Sequence, residues 1–111
     1  MVELPASGRS MEPTLRPGDR LQVAPFLGLP RPGQIVLIRR DGVLVAHRLI
    51  EIAITPTGRL YRLQGDAEPA PDAPVRRPDL LGRITEVVRQ GRRLPIDDPF
   101  HQILFGEDRR G

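Results

Sequence analysis

The sequence of 111 residues contains no cysteine, no lysine and no tryptophan, and its aromatics are three phenylalanines and one tyrosine. Without cysteine there is no disulfide and no thiolate metal site, and the redox compartment is left open. Without lysine there is no lysine amine to act as a general base or to form a Schiff base, and the seventeen basic residues are all arginine. So few aromatics leave no stacking platform for single-stranded nucleic acid. No apolar run approaches the roughly 18 residues of a membrane span, and the N-terminus lacks the basic-then-apolar order of a signal peptide. The chain is therefore expected to be soluble, to carry no membrane span and to stay in the cytoplasm. Its net charge of +3 comes from arginines scattered in ones and twos. That is the pattern of a solvated basic surface, so no nucleic-acid partner is expected.

Proline and glycine are abundant, at thirteen and eleven residues. They argue against long helices and for short strands joined by turns. The length suits a single domain over residues 1–111. Residues 1–9 read as an extended lead, and Arg20-Leu21-Gln22-Val23-Ala24 alternates as a half-buried strand does. Phe26, Leu27 and Leu29, in a proline-rich loop, are read as a cap on the core rather than an exposed binding lip. Residues 34–40 and 43–54 are rich in β-branched side chains and flank Asp41-Gly42, the strongest short hairpin signal. A turn at Thr55-Pro56-Thr57-Gly58 leads to a strand over 59–64, and an irregular proline-rich loop over 65–74 follows. Pro78-Asp79-Leu80-Leu81 is expected to form one helical turn. A strand over 82–89 then turns at Gln90-Gly91 into 92–96. The tail, with Phe100, Ile103, Leu104 and Phe105, reads as a docked segment or a helical turn. The expectation is an all-β fold of coiled antiparallel sheets, with long hairpins, one long central strand and little helix.

Four polar residues stand on or beside these rigid elements. Ser10 lies in a turn stiffened by Pro13 and Pro17 and bounded by Gly8 and Gly18, where a side chain is held firmly at a surface. His47 is in mid-strand, and Asp66 and Asp72 share the following loop. Acyl transfer needs these types: a hydroxyl to attack, an imidazole to take its proton, and a carboxylate to fix the imidazole tautomer. With lysine absent, His47 is the base available to Ser10, and His101 near the chain end is a poor competitor. Each residue taken singly has a plainer reading, as a turn serine, a core histidine or a loop aspartate.

Together these residues carry a resemblance. Ser10-Met11-Glu12-Pro13-Thr14-Leu15 with Gly18-Asp19, inside a serine box over 7–19, resembles the nucleophile box of the signal peptidase and LexA-repressor-type serine peptidases. Val45-Ala46-His47-Arg48-Leu49-Ile50, in a histidine box over 43–50, resembles that of the branch using histidine, typified by the eukaryotic, archaeal and sporulation-type signal peptidases. Gly65-Asp66 with Asp72, in an aspartate loop over 65–74, is similar to that branch's carboxylate box. The resemblance implies a signal-peptidase/LexA-like fold, Ser10 as nucleophile and His47 as general base. By position Asp72 matches the supporting aspartate and Asp66 a second aspartate of the loop. It also implies that Gly8, Arg9 and Met11 flank the substrate and the oxyanion, the latter held chiefly by the Ser10 backbone N–H. The chain departs from the signal peptidases in showing no membrane anchor ahead of the serine box.

The expected function is that of a serine endopeptidase taking a peptide or precursor protein as an added strand, with shallow pockets for small side chains and no metal or organic cofactor. A histidine base predicts loss of kcat/KM below about pH 6 to 7. A maturation peptidase for small precursors shares this site. The alternative is a non-catalytic peptide-binding module of the same fold, which would have no need of all three polar residues. A DNA-linked self-cleaving repressor is disfavoured, because no helix-turn-helix region precedes the serine box.

Overall fold

Two tight turns with left-handed backbone at both central residues set the hairpins: Asp41 and Gly42 at φ 52° and 77°, and Gln90 and Gly91 at φ 52° and 78°. This geometry twists in the same sense as the strands it joins, so the flanking chains pair directly. In the computed structural model, which describes residues 2–96, seven strands follow one another. They are β1 (Val2–Pro5), β2 (Arg20–Ala24), β3 (Ile35–Arg40), β4 (Val43–Thr55), β5 (Gly58–Gln64), β6 (Leu80–Arg89) and β7 (Arg92–Pro95), with a single 3₁₀ turn at Arg77–Asp79 before β6. The expectations for the tail and for His101 lie outside the described residues.

The strands form one antiparallel sheet in the order β1-β2-β6-β3-β4-β5, with β7 also paired to β6. The all-β expectation holds, with one sheet in place of the several expected. A single sheet suffices because it bends. The register slips between Gln22 and Val23, between Leu37 and Ile38, and between Leu49 and Glu51. Each slip leaves an extra residue on one strand, here Thr85, Leu81 and Ile50, and such bulges sharpen the local twist. β6 thereby pairs with β3 over its first half and with β7 over its second, while β2 runs along its other edge.

Bending lets one sheet cover itself. β3 is buried on both faces, and side chains alternate across a strand. Ile35 and Leu37 enter a core with Met11, Leu15, Leu21, Val23, Ile84 and Val87. Val36 and Ile38 enter a second with Leu49, Tyr61, Leu63 and Leu80. The segment read as an extended lead is strand β1, with Leu4 packed against the first core. The loop after β2 divides: Phe26 packs on the second core beneath the Arg77 guanidinium, 5.0 Å from its ring centre, whereas Leu27 and Leu29 stand exposed. The core-cap reading therefore holds for Phe26 alone. Among the described residues no helix is long and apolar enough to cross a membrane.

Candidate active site

The serine box is clamped at both ends. Met11 and Leu15 bury their side chains in the first core, and the Leu15 N–H donates to the Met11 carbonyl at 3.0 Å. At the far end Asp19, 2% exposed, accepts the Arg16 N–H at 2.8 Å and a forked pair from Arg89 at 2.8 and 2.7 Å. The Arg89 hydrogen bonds hold the Asp19 carboxyl below the usual carboxylate range, against the opposing effect of burial. Arg89 also donates to the Thr14 carbonyl, so β6 grips the serine segment twice. Gly8 (φ 77°) and Gly18 (φ 92°) make the bends that bring Ser10 to the surface of this clamp.

His47 is 5% exposed and sits in β4 opposite Val36 of β3. Its Nε2 lies 2.9 Å from Ser10 Oγ and its Nδ1 lies 2.5 Å from Asp72 Oδ2. A carboxylate only accepts, so Nδ1 carries the proton and Nε2 is left to accept from the serine hydroxyl. Asp72 reaches this position because its loop returns along β5. The Asp72 N–H donates to the Leu63 carbonyl at 2.8 Å, and Val75 bridges Tyr61. Arg40 stands 3.3 Å from the Asp72 carboxylate and donates to the Ala73 carbonyl at 3.0 Å.

Asp66 does something different. Arg48 donates to both of its oxygens, at 2.9 and 2.7 Å, and Thr14 donates at 2.6 Å. The Arg48 hydrogen bonds, more than any other contact, hold the Asp66 carboxyl below the usual carboxylate range. Thr14 belongs to the serine box, Arg48 to the histidine box and Asp66 to the aspartate loop, so this trio ties the three boxes together. Of the two aspartates that could support the imidazole, Asp72 makes the contact and Asp66 is a cross-link. The aspartate loop is also pressed against the Ser10 turn. The Ala67 N–H donates to the Ser10 carbonyl at 2.9 Å, and a Cβ at Gly65 would lie 2.5 Å from that same oxygen.

A cavity of about 370 Å³ opens beside Ser10, a volume in the range of ligand pockets. Leu4 to Gly8 form one part of its wall and Leu44 to Ala46 another, and Met11, Leu15, Arg16, Leu21 and Leu37 also line it. β1 pairs only with β2, and β5 joins β4 only from Arg48 onward. Both walls therefore present strand edges with no strand partner among the described residues. Gly8 and Met11 line the cavity. Arg9 does not; its side chain is 75% exposed and pairs with Glu12 at 2.7 Å.

Three further residues stand at the site without a local sequence signal to mark them: Thr14, Arg40 and Glu68. Glu68 Oε1 lies 3.9 Å from His47 Nε2, and only the tertiary arrangement signals it. His47, Glu68 and Asp72 each offer a donor atom within 4.8 Å of the others. Asp72 and Glu68 sit at opposite ring nitrogens, however, so one ion reaches all three only by breaking the Asp72 hydrogen bond. Comparisons with protein-family models, with curated proteins and with solved structures find no match for this chain.

Proposed function

We propose that the chain is a serine endopeptidase acting on extended peptide or precursor-protein segments, related in fold and site to the histidine-using signal peptidases that its motifs resemble. The observation that carries this reading is the unbroken hydrogen-bonded row from Ser10 Oγ through both His47 nitrogens to Asp72, ending at an apolar cavity. Ser10, His47 and Asp72 come from three separate stretches of chain. A packing role alone would not require this order of donors and acceptors.

The substrate would lie as a strand between the open edges of β1 and β4, its backbone pairing with theirs and its apolar side chains entering the cavity. As Ser10 Oγ attacks the scissile carbonyl carbon, His47 Nε2 takes the hydroxyl proton, and the imidazolium is stabilised by Asp72. The oxygen gains negative charge in the tetrahedral intermediate. The Ser10 N–H, which donates to no other acceptor among the described residues, is free to bind it. The C–N bond breaks as Nε2 returns the proton to the leaving amine. Water, deprotonated by the same nitrogen, then attacks the acyl-enzyme and releases the acid.

The test is cleavage of a degenerate peptide library read by mass spectrometry, with the chain as purified and with Ser10→Ala and His47→Ala. Each substitution is expected to lower turnover at least about a thousandfold. Turnover unchanged in both variants would sink the assignment. Retained peptide binding without any cleavage by the unsubstituted chain would identify a binding module instead.

A further inference from the structure

Carboxylates near the nucleophile are matched to arginines with one exception. Glu12 pairs with Arg9, Asp66 with Arg48, and Asp72 with Arg40 as well as His47. Glu68 alone has no arginine within ion-pair distance among the described residues; its one charged neighbour is the His47 ring at 3.9 Å. In a chain of net charge +3, this leaves a carboxylate beside His47 with no arginine partner among the described residues.

Its place is built by the loop. The Glu68 N–H donates to the Gly65 carbonyl at 3.0 Å, closing the turn, and the Gln64 side chain donates to the Glu68 carbonyl at 2.8 Å. The carboxylate lies over Gly65, where a Cβ would come within 2.8 Å of Oε1. Backbone on both sides is thus held, while the side chain stays 39% exposed and can meet a ligand.

The chemistry of the proposed reaction says which part of the ligand it would meet. Nε2 must hand its proton to the nitrogen of the scissile bond, so that nitrogen sits within hydrogen-bond reach of Nε2. Glu68, on the Nε2 side of the ring, then borders the residues that follow the cut. We infer that Glu68 is a specificity-determining residue which favours substrates carrying lysine or arginine just after the scissile bond and rejects those carrying aspartate or glutamate there. This rests on the peptidase reading above. Attraction of one charge and repulsion of the other both act in the same direction, which is how a single group discriminates between partners.

The experiment compares the chain as it is with Glu68→Gln and Glu68→Arg on peptides that differ only in the one or two positions after the cut, set to lysine, glutamine or glutamate. For the unsubstituted chain kcat/KM is expected to fall by about fivefold from lysine to glutamate, the scale of a half-exposed ion pair. Glu68→Gln is expected to flatten that order, and Glu68→Arg to reverse it. An unchanged order in Glu68→Gln overturns the inference. So does a uniform loss for all three peptides, which would instead make Glu68 a stabiliser of the imidazolium. Absence of cleavage by every form, the unsubstituted chain included, would sink the peptidase reading and this inference with it. Cleavage blind to charge sinks this inference alone.

Discussion

Asp66 and Asp72 lie in one proline-rich loop, six positions apart, and carry the same functional group, yet they have different partners. Nothing in the residue types separates them. What separates them is the pairing of the Asp72 N–H with Leu63, which aligns its side chain with the His47 ring, and the fork of Arg48, which holds Asp66 away from it. The two roles give different outcomes on substitution. Asp72→Asn puts an amide against Nδ1 and permits the wrong imidazole tautomer, and kcat is expected to fall by about three to four orders of magnitude with the fold intact. Asp66→Asn removes charge-assisted hydrogen bonds outside the proton path. It is expected to lower stability by about 1–3 kcal/mol and to leave kcat within about tenfold. Urea unfolding and single-turnover kinetics on both variants check this, and equal kinetic losses would show that Asp66 also serves the imidazole. The sequence made the serine, the histidine and the carboxylate loop legible because each keeps its motif locally. Glu68 and Arg40 were illegible because their neighbours come from elsewhere in the chain.

The same contrast holds for the elements. Asp41-Gly42 announces its hairpin because the left-handed backbone both residues adopt is costly for most others, whereas Gln90-Gly91 signals its turn through Gly91 alone. β1 gave no such signal: Val2-Glu3-Leu4-Pro5 is too short for its alternation to mark a strand, and it pairs because β2 offers an edge. The bulges at Ile50, Leu81 and Thr85, which turn one sheet into a wrapped one, depend on pairing between distant strands and left no mark in local composition. Where elements meet, Gly65 is the tightest point. Its missing Cβ lets the aspartate loop lie on the Ser10 carbonyl, and a methyl group there would stand 2.5 Å from that oxygen and 2.8 Å from Glu68 Oε1. Gly65→Ala must therefore part the loop from the Ser10 turn, disturbing the Ala67–Ser10 hydrogen bond. It is expected to cost about 1–3 kcal/mol as an overpacked contact, and to lower kcat/KM by more than that loss of folded protein explains. Gly42 has nothing within 4 Å of a Cβ and lies in a surface turn, so Gly42→Ala serves as the control. It should strain the turn by about 1 kcal/mol without touching turnover. Measuring kcat/KM well below each variant's melting temperature separates the two effects, and an active Gly65→Ala would show that the loop need not touch Ser10.

At the scale of the whole molecule, every side-chain cation other than histidine is an arginine, which keeps its charge throughout the accessible pH range. Loss of ion pairs can then come only from the acidic side. Asp19 and Asp66 both titrate below the usual carboxylate range because Arg89 and Arg48 respectively donate to them. A carboxyl whose folded value lies below its unfolded one binds protons more readily when unfolded. The stability it contributes is therefore complete above the ordinary carboxyl value of about 3.9 and is lost as the pH falls through the lower, folded-state value. Asp19 is the more deeply buried of the two, and it closes the serine box against β6, so its pair with Arg89 makes the sharper probe. Arg89→Gln leaves a buried carboxylate without its counter-charge, at an expected cost of about 3–5 kcal/mol near neutral pH. Asp19 then gains a proton at a higher pH than before, since burial without the guanidinium favours the neutral form. Protonation also removes the charge that made the variant unstable, while in the unsubstituted protein it removes the pair. The difference in unfolding free energy between the two should accordingly shrink as the pH is lowered from neutral towards about 3. Urea unfolding at a series of pH values measures it, and a difference that stays constant across the series would mean that the clamp on the Ser10 segment is steric and owes nothing to charge.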